Sequence, residues 1–317
     1  MRELHGDAVR VALGPREVTL LSHPDSATGS AAARRSRAGG HAAFEARLAG
    51  SNFALSVAAH ANLLGMMELV SLPFSPWSEK ARWALDHHGV AYKSTTYRPL
   101  VGEPWLRVRQ RRLTGRVSVP VLFDGSDAYP DSFSIALYAE RVGRGSSLFP
   151  LPHRRRIEEI DELTERGLES GRALTLRRML ASKEALREML PKPLRRFDTV
   201  GLRLAAFGIR RALRKYGAPL SGGDARAGLA SVLDAIRASL EANEAPQERF
   251  VCGEFTYADI CAAQVLQFVS PVRSVSFRIG RASRACLEDP ALAAAYPDLL
   301  SWRDALYVGR RVGRAAS

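Results

Sequence analysis

Residues 71–90 read SLPFSPWSEKARWALDHHGV, and the interpretation of the fold begins with this stretch. We predict that a short apolar strand ends at Pro73 and that a helix starts at Ser75. Pro76 then takes the first helical position and Gly89 follows the last turn, which is the preferred placement of these two residue types. Ser75 is therefore expected at the N-terminal cap, where its oxygen accepts a hydrogen bond from a free backbone N–H.

Strand and helix signals alternate on both sides of that stretch. The strand before it begins at MELVSL, and the order from there to Gly143 is β-α-β-α-β-β-α. This order is typical of a small α/β sandwich whose sheet is part parallel and part antiparallel. The later segments are a strand in 90–99, a short basic helix or an irregular segment in 103–112, strands in 117–125 and 127–130, and a helix in 131–143.

The second half of the chain is predicted to be helical throughout. One helix carries a stripe of apolar residues at steps of four, three and four, which are Leu229, Leu233, Ile236 and Leu240. Residues 255–269 are apolar nearly all round, so this helix is expected to be buried. Thr256 and Asp259 have the spacing of a capping box at its start.

Length and composition allow two domains and a substantial core, since the chain has 317 residues of which 46% are hydrophobic. No run of apolar residues is long enough for a membrane span. The three cysteines, Cys252, Cys261 and Cys286, have no metal-binding spacing, and their number fits a reducing cytoplasm better than a disulfide-rich secreted protein.

Much of the formal charge of +13 is concentrated in one region. Residues 151–220 contain 17 Lys and Arg but only 9 Asp and Glu, and residues 194–217 have the pattern of a basic amphipathic helix. We interpret it as a helix with a solvated basic face, with an anionic partner or a membrane surface as the alternatives. No nucleic-acid-binding motif is found, so no nucleic acid partner is predicted.

Residues 1–66 differ from the rest of the chain, being rich in Ala, Gly, Ser and Arg with little periodicity. We predict that they are a disordered or spurious N-terminal extension and that the biological start is Met66 or Met67. The segment lacks the order of regions found in a signal peptide.

The tetrapeptide Ser75-Pro76-Trp77-Ser78 has the spacing of a C-P-x-C redox loop with serine at both cysteine positions. Chemistry that needs a thiolate from this loop is therefore excluded. The helix N-terminus would still stabilise an external thiolate through its unpaired N–H groups, and a serine hydroxyl can donate a hydrogen bond to that sulfur.

These residues, together with residues 117–125 and 129–140, resemble the N-terminal domain of the cytosolic glutathione S-transferase superfamily. Residues 254–264 and 296–306 look like its helical C-terminal domain. The resemblance implies an α/β thioredoxin-like domain followed by an all-α helical bundle domain. We place the first domain at residues 67–147 and the second at 148–317.

The resemblance also implies a set of site residues. Ser75 is the activating hydroxyl, Val119 and Pro120 form the cis pair that binds the cysteinyl part of glutathione, and Asp131 and Ser132 hold its γ-glutamyl end. From the residues alone, Pro120 indicates only a strand edge or a turn, and Asp131 or Ser132 is equally well a helix cap.

Two departures from the family pattern bear on glutathione affinity. Asp131 stands where glutamate is usual, and Ser118 stands where several classes have a lysine just before Val-Pro. Arg116 is the alternative partner for the glycyl carboxylate.

The implied function is transfer of glutathione, as co-substrate and without a metal, to a small hydrophobic electrophile in detoxification. The alternatives are a non-catalytic ligand-binding or interaction protein and a glutathione-dependent isomerase or dehalogenase. A cytoplasmic homodimer is expected by analogy with the family.

Several residues of the first helix are given structural roles instead. His87 and His88 are expected to be exposed near the helix end. Trp77 and Trp83 are expected to pack, and Arg82 is expected to pair with an acid.

Overall fold

The computed structural model describes residues 67–99, 102–112, 114–191, 198–216, 222–243, 249–273 and 279–311. The prediction made for residues 1–66 lies outside this part of the chain. Within the described residues, no helix has both the length and the apolar character needed to cross a membrane.

The first part of the described chain has the predicted order of strands and helices. A four-stranded sheet is combined with three helices. The elements are β1 (Glu68–Ser71), α1 (Pro76–His87), β2 (Lys93–Thr96), α2 (Gly102–Arg109), β3 (Val121–Asp124), β4 (Asp127–Tyr129) and α3 (Ser132–Val142).

The sheet has the strand order β2-β1-β3-β4 and is mixed, as predicted. β1 runs parallel to β2 because α1 connects them as a crossover, with Leu69 opposite Ser94. β3 runs antiparallel to β1 and to β4. The Asp-Gly turn between β3 and β4 places Gly125 at a φ of 57°, in the left-handed region that glycine adopts readily.

β1 ends at Ser71, two residues before the predicted end at Pro73. The backbone of Leu72 leaves the sheet because its N–H donates to the Ser78 hydroxyl at 3.1 Å and its carbonyl accepts from the Ser75 N–H at 3.3 Å. Pro73 has no N–H to offer a neighbouring strand. Pro76 opens α1 as predicted, and Gly89 follows its end with a φ of 63°.

The rest of the described chain is helical, as predicted. A short 3-10 turn, Leu151–His153, leads into the longest helix. The helices are α4 (Arg154–Ala181), α5 (Lys183–Glu188), α6 (Asp198–Lys215), α7 (Gly222–Glu241), α8 (Tyr257–Val265), α9 (Arg281–Leu287), α10 (Pro290–Ala295) and α11 (Pro297–Gly309), with a second 3-10 turn at Leu266–Phe268.

The core of the helical part forms around α4, α7 and α8. All residues of α8 are buried, and the predicted apolar stripe of α7 is buried as well. The capping box at Thr256 and Asp259 is present, and Asp259 also accepts a hydrogen bond of 2.8 Å from the Val251 N–H. The carboxylate of Asp259 therefore links the start of α8 to the segment before it.

One structural expectation about the end of α1 is wrong, because His88 is buried and only His87 is partly exposed. The segment after α3 covers His88, and a Cβ atom at Gly143 would lie 2.3 Å from the His88 Cβ atom. His88 Nε2 lies 3.0 Å from a carboxylate oxygen of Glu140. Contacts with a segment far along the chain thus bury a histidine that its position at a helix end suggested was exposed.

The other expectations for α1 are confirmed. Arg82 pairs with Glu79 at 2.8 Å, and Trp83 is fully buried. Trp77 is half-buried and packs against the helical part. The three cysteines are free and buried.

α6 is the basic amphipathic helix predicted from residues 194–217, and residues 192–197 lie outside the described part of the chain. Its basic face is exposed, as predicted. The same face also carries apolar side chains, with Phe207 52% exposed. The exposed arginines are Arg203, Arg210, Arg211 and Arg214, and the exposed apolar residues are Val200, Leu204 and Phe207.

Candidate functional site

The register of the sheet brings the predicted site residues to one end of it. Val70 near the end of β1 lies opposite Val121 at the start of β3, and Leu122 lies opposite Tyr129 at the end of β4. The segments that follow β1, precede β3 and follow β4 therefore meet at the same end of the sheet. These segments contain Ser75, Val119 with Pro120, and Asp131 with Ser132.

Ser75 is the N-cap residue of α1, with an extended backbone. Its Oγ atom accepts from the Ser78 N–H at 3.4 Å, which is longer than the usual range for an N–H donor. The residue is 9% exposed. Ser75 therefore has a capping role, and the long cap bond leaves its hydroxyl weakly engaged.

The Val119–Pro120 peptide bond is cis, as the resemblance implied. Of the two positions that the strand pattern indicated for Pro120, the strand edge is wrong. Pro120 comes directly before β3, which lies inside the sheet between β1 and β4. β3 is thus free of proline within its own ladder of hydrogen bonds.

Asp131 is the N-cap of α3, and its Oδ1 atom accepts from the Ser134 N–H at 2.7 Å. Asp131 is exposed, whereas Ser132 at the first helical position is 4% exposed. The carboxylate therefore lies at the surface at a helix N-terminus, and the adjacent hydroxyl belongs to the interior.

A lysine does reach the segment before Val119, although Ser118 occupies the position where a lysine is usual in several classes. Lys215 at the end of α6 donates a hydrogen bond of 2.7 Å to the Val117 carbonyl and pairs with Glu103 at 3.3 Å. No local pattern in the sequence indicates this contact, because Lys215 is 98 positions from Val117.

The first turn of α1 packs against α4. The Trp77 indole N–H donates to Glu165 at 2.6 Å, and the Trp77 ring lies edge-on to Phe268 at a centroid distance of 6.4 Å. One turn further, the fully buried Lys80 pairs with Glu165 at 2.7 Å and with Asp161 at 2.8 Å. The helix that Ser75 caps is thus held to the helical part by charged and aromatic contacts.

The charge on Lys80 is stabilised by its surroundings. Burial alone would lower the pKa of Lys80, but the negative groups around it, including Glu165 and Asp161, raise that pKa overall. Lys80 is therefore a permanent cation in the interior at neutral pH.

Comparison with family models matches residues 74–142 to the N-terminal domain of glutathione S-transferases. Among solved structures, the chain is similar to two glutathione transferases from Phanerochaete chrysosporium. Their TM-scores are 0.54 and 0.52 at 18% and 16% identity, and the matches cover 79% and 80% of this chain and 100% of each of those chains. The chain carries a glutathione S-transferase N-terminal domain within a glutathione transferase fold. The resemblance inferred from the residues is thereby confirmed.

A third solved structure with this transferase fold comes from Ceriporiopsis subvermispora and is a glutathione S-transferase in complex with glutathione. It has a TM-score of 0.51 at 16% identity, and the match covers 80% of this chain and 100% of that chain. No curated protein matches the sequence at a significant level. At these identities the structural comparisons establish the fold and not the reaction.

The transferase fold also brings together a group of side chains that the sequence analysis missed. The Arg172 guanidinium of α4 lies over the Trp77 ring at 4.7 Å and over the Tyr216 ring at 4.1 Å. Arg172 is one of many arginines in the basic region 151–220, and nothing in the pattern of that region distinguishes it from its neighbours. Among the described residues, no group of three or more His, Cys, Asp or Glu side chains is placed to hold a metal ion.

Proposed function

We propose that this protein is a glutathione transferase that binds glutathione at the end of the sheet where Ser75, Val119, Pro120, Asp131 and Ser132 meet. The meeting of these segments supports the proposal. In this proposal the Val119 backbone, next to the cis bond, pairs with the cysteinyl part of the tripeptide. The exposed Asp131 carboxylate attracts the ammonium group of its γ-glutamyl end.

The chemistry follows from the N-terminus of α1. The positive end of the α1 dipole favours a thiolate, and the Ser75 hydroxyl donates a hydrogen bond to the sulfur. The glutathione thiol releases its proton to solvent, a sulfur–carbon bond forms to the electrophile, and the leaving group departs with the electrons of the bond that breaks. Ser75 lowers the energy of the thiolate and does not become the nucleophile.

The second substrate is placed between the first turn of α1 and the helical part. Trp77 is half-buried there and contacts Phe268, so an aromatic surface borders the proposed position of the sulfur. Aromatic side chains provide apolar surface for a small hydrophobic molecule. We assign the second substrate to the helical part because of this aromatic surface.

A non-catalytic binding protein is the second candidate, and the geometry of Ser75 favours it in one respect. The Ser75 side chain already caps α1 and the residue is largely buried. A serine that acts only as a cap leaves glutathione binding possible without activating the thiol. Retention on glutathione-agarose without turnover of any generic electrophile would support this candidate.

The decisive experiment compares wild type with Ser75→Ala by calorimetry and by steady-state kinetics. We expect the variant to bind glutathione with nearly unchanged affinity and to lose about 100-fold in kcat, a size typical of one lost hydrogen bond to a reacting anion. A fall in melting temperature with unchanged kcat would assign Ser75 to capping alone. Ser75→Thr is the matched control, since threonine keeps both the hydroxyl and the cap.

The cellular setting and the oligomeric state belong to the same proposal. The three cysteines are free within the described part of the chain, which supports a reducing compartment such as the cytoplasm. The homodimer stays a prediction, and light scattering of the purified protein measures it directly.

A further inference from the structure

Arg172 lies between two aromatic rings beside the first turn of α1. Trp77, two residues after Ser75, is on one side, and Tyr216, directly after α6, is on the other. Both rings are half-buried, and the Arg172 side chain is 19% exposed. The guanidinium is thus held in place by stacking and still borders solvent.

The charge of Arg172 is incompletely neutralised by the protein. Its ion pair within the described residues is with Glu169 at 3.6 Å, which is beyond hydrogen-bond distance, and that glutamate side chain is 59% exposed. Glu165, two turns away on the same helix, is already bound by Lys80 and Trp77.

A second cation adds to the positive potential at this position. Burial lowers the pKa of Arg172; Tyr216, Glu169 and Glu165 raise it, Arg116 lowers it, and the net shift is downward. Arg116 is exposed in the segment three residues before Val119. Two arginines from distant parts of the chain therefore act on the same region. Of the carboxylates near Arg172, Glu169 is exposed and beyond hydrogen-bond distance, and Glu165 is bound by Lys80 and Trp77.

We propose that Arg172 is a specificity-determining residue that binds the carboxylate of an anionic aromatic second substrate, with the substrate ring against Trp77. This inference rests on the proposed function and names the substrate class for the same site. A guanidinium binds a carboxylate through paired N–H donors, and its stacked, preorganised position reduces the entropy lost on binding.

A carboxylate at Arg172 has two possible sources, which are glutathione itself and the second substrate. The second substrate is favoured because Arg172 belongs to α4 in the helical part and lies on the side of Trp77 and Phe268. The segments proposed to bind glutathione, by contrast, lie before α4, in the part of the chain that contains the sheet.

Kinetics with a matched pair of electrophiles on the full chain test the proposal. One is a chlorodinitrobenzoate and the other is the chlorodinitrobenzene of the same ring pattern without the carboxylate. In both reactions a bond forms between sulfur and ring carbon, the carbon–chlorine bond breaks, chloride leaves with the bonding electrons, and the thiol proton goes to the buffer. Intrinsic reactivity cancels when wild type and variant are compared on each compound.

We expect Arg172→Met to lower kcat/KM for the benzoate by about 10-fold or more and to leave that for the neutral compound within about twofold, since a lost charge-assisted hydrogen bond has this size. Arg172→Lys should recover part of the loss because it keeps the charge. Arg166→Met, at an exposed position of the same helix, is the matched control and should change neither value.

Two kinetic results would overturn the proposal. A rise in the KM for glutathione with both electrophiles, at an unchanged ratio between them, assigns the carboxylate to glutathione and overturns the proposal. An equal loss on both compounds also overturns it, because a purely structural role predicts that pattern.

Calorimetry with an unreactive dinitrobenzoate and with dinitrobenzene separates this proposal from the proposed function. Tighter binding of the anion in wild type, lost in Arg172→Met, supports the site even if no turnover is found. Equal binding of the two compounds in wild type overturns the site while leaving glutathione transfer to other electrophiles intact.

Discussion

Arg311, two residues beyond the end of α11, donates a hydrogen bond of 2.8 Å to the fully buried carboxylate of Glu79 in α1. Arg82 donates to the other oxygen of the same carboxylate at 2.8 Å. Burial would raise the pKa of Glu79, but the two arginines lower it overall. The end of the described chain thus stabilises a charge inside the helix that Ser75 caps.

The lowered pKa of Glu79 predicts a loss of stability in acid. A carboxyl whose folded pKa lies below its unfolded value stabilises the fold fully above the unfolded pKa of about 4.3, and that contribution disappears as pH falls through the folded pKa. Urea unfolding at several pH values from 7 to 3 measures this loss of stability. Glu79→Gln should be less stable at pH 7 by about 3 kcal/mol and should show a shallower decline in acid.

The exposed Glu241→Gln at the end of α7 is the matched control for Glu79 and should follow wild type at each pH. Parallel acid curves for Glu79→Gln and wild type would show that other carboxylates carry the pH dependence.

The contacts of Lys80 predict that replacing it lowers the folding stability by a large amount that does not vary with pH near neutrality. Its fully buried ammonium pairs with Asp161 and Glu165, so Lys80→Met leaves two carboxylates without their cation. We expect a loss of about 3–5 kcal/mol in the free energy of unfolding. Lys183→Met, at an exposed position of α5, should change it by less than about 0.5 kcal/mol. A small effect at Lys80 would mean that water enters the pair.

Asp259 predicts a loss of folding stability with little change in activity. Asp259→Ala removes the capping box and leaves the Val251 N–H without its acceptor. The two losses together are expected to cost about 3 kcal/mol. Urea unfolding measures this cost, and turnover per folded molecule should stay unchanged. Asp127→Ala, at an exposed position of β4, is the control. A fall in the kcat of the folded Asp259 variant, without a loss of stability, would contradict a structural role.

The contact of Lys215 with the segment before the cis peptide bond predicts that this lysine strengthens glutathione binding. Lys215→Met removes the hydrogen bond to the Val117 carbonyl, and we expect the Kd for glutathione to rise about fivefold, or about 1 kcal/mol. Arg214→Met, exposed one position earlier, should leave the Kd unchanged. An unchanged Kd for the Lys215 variant would show that the segment holds its conformation without this lysine.

The elements of the fold were predictable because their signals are local. Ser75, Pro76 and Gly89 mark the two ends of α1 within fifteen consecutive residues, and Thr256 with Asp259 marks the start of α8. Such signals act through backbone geometry and neighbouring hydrogen bonds, so they hold in any tertiary setting.

The candidate site was predictable only in part. The segments that carry Ser75, Val119 and Asp131 were identified from their order along the chain. Their meeting at one end of the sheet depends on the register between β1, β3 and β4. Lys215 and Arg172 were missed, since neither residue carries a local signal of its contacts.

The sequence by itself determined the order of strands and helices, the caps of α1 and α8 and the basic character of α6. Only the tertiary structure decided that His88 is buried, that Lys80 is enclosed by carboxylates and that Arg172 lies between two aromatic rings. The physical reason is that caps and periodicity depend on residues a few positions apart, whereas burial and charge pairing depend on which distant faces meet.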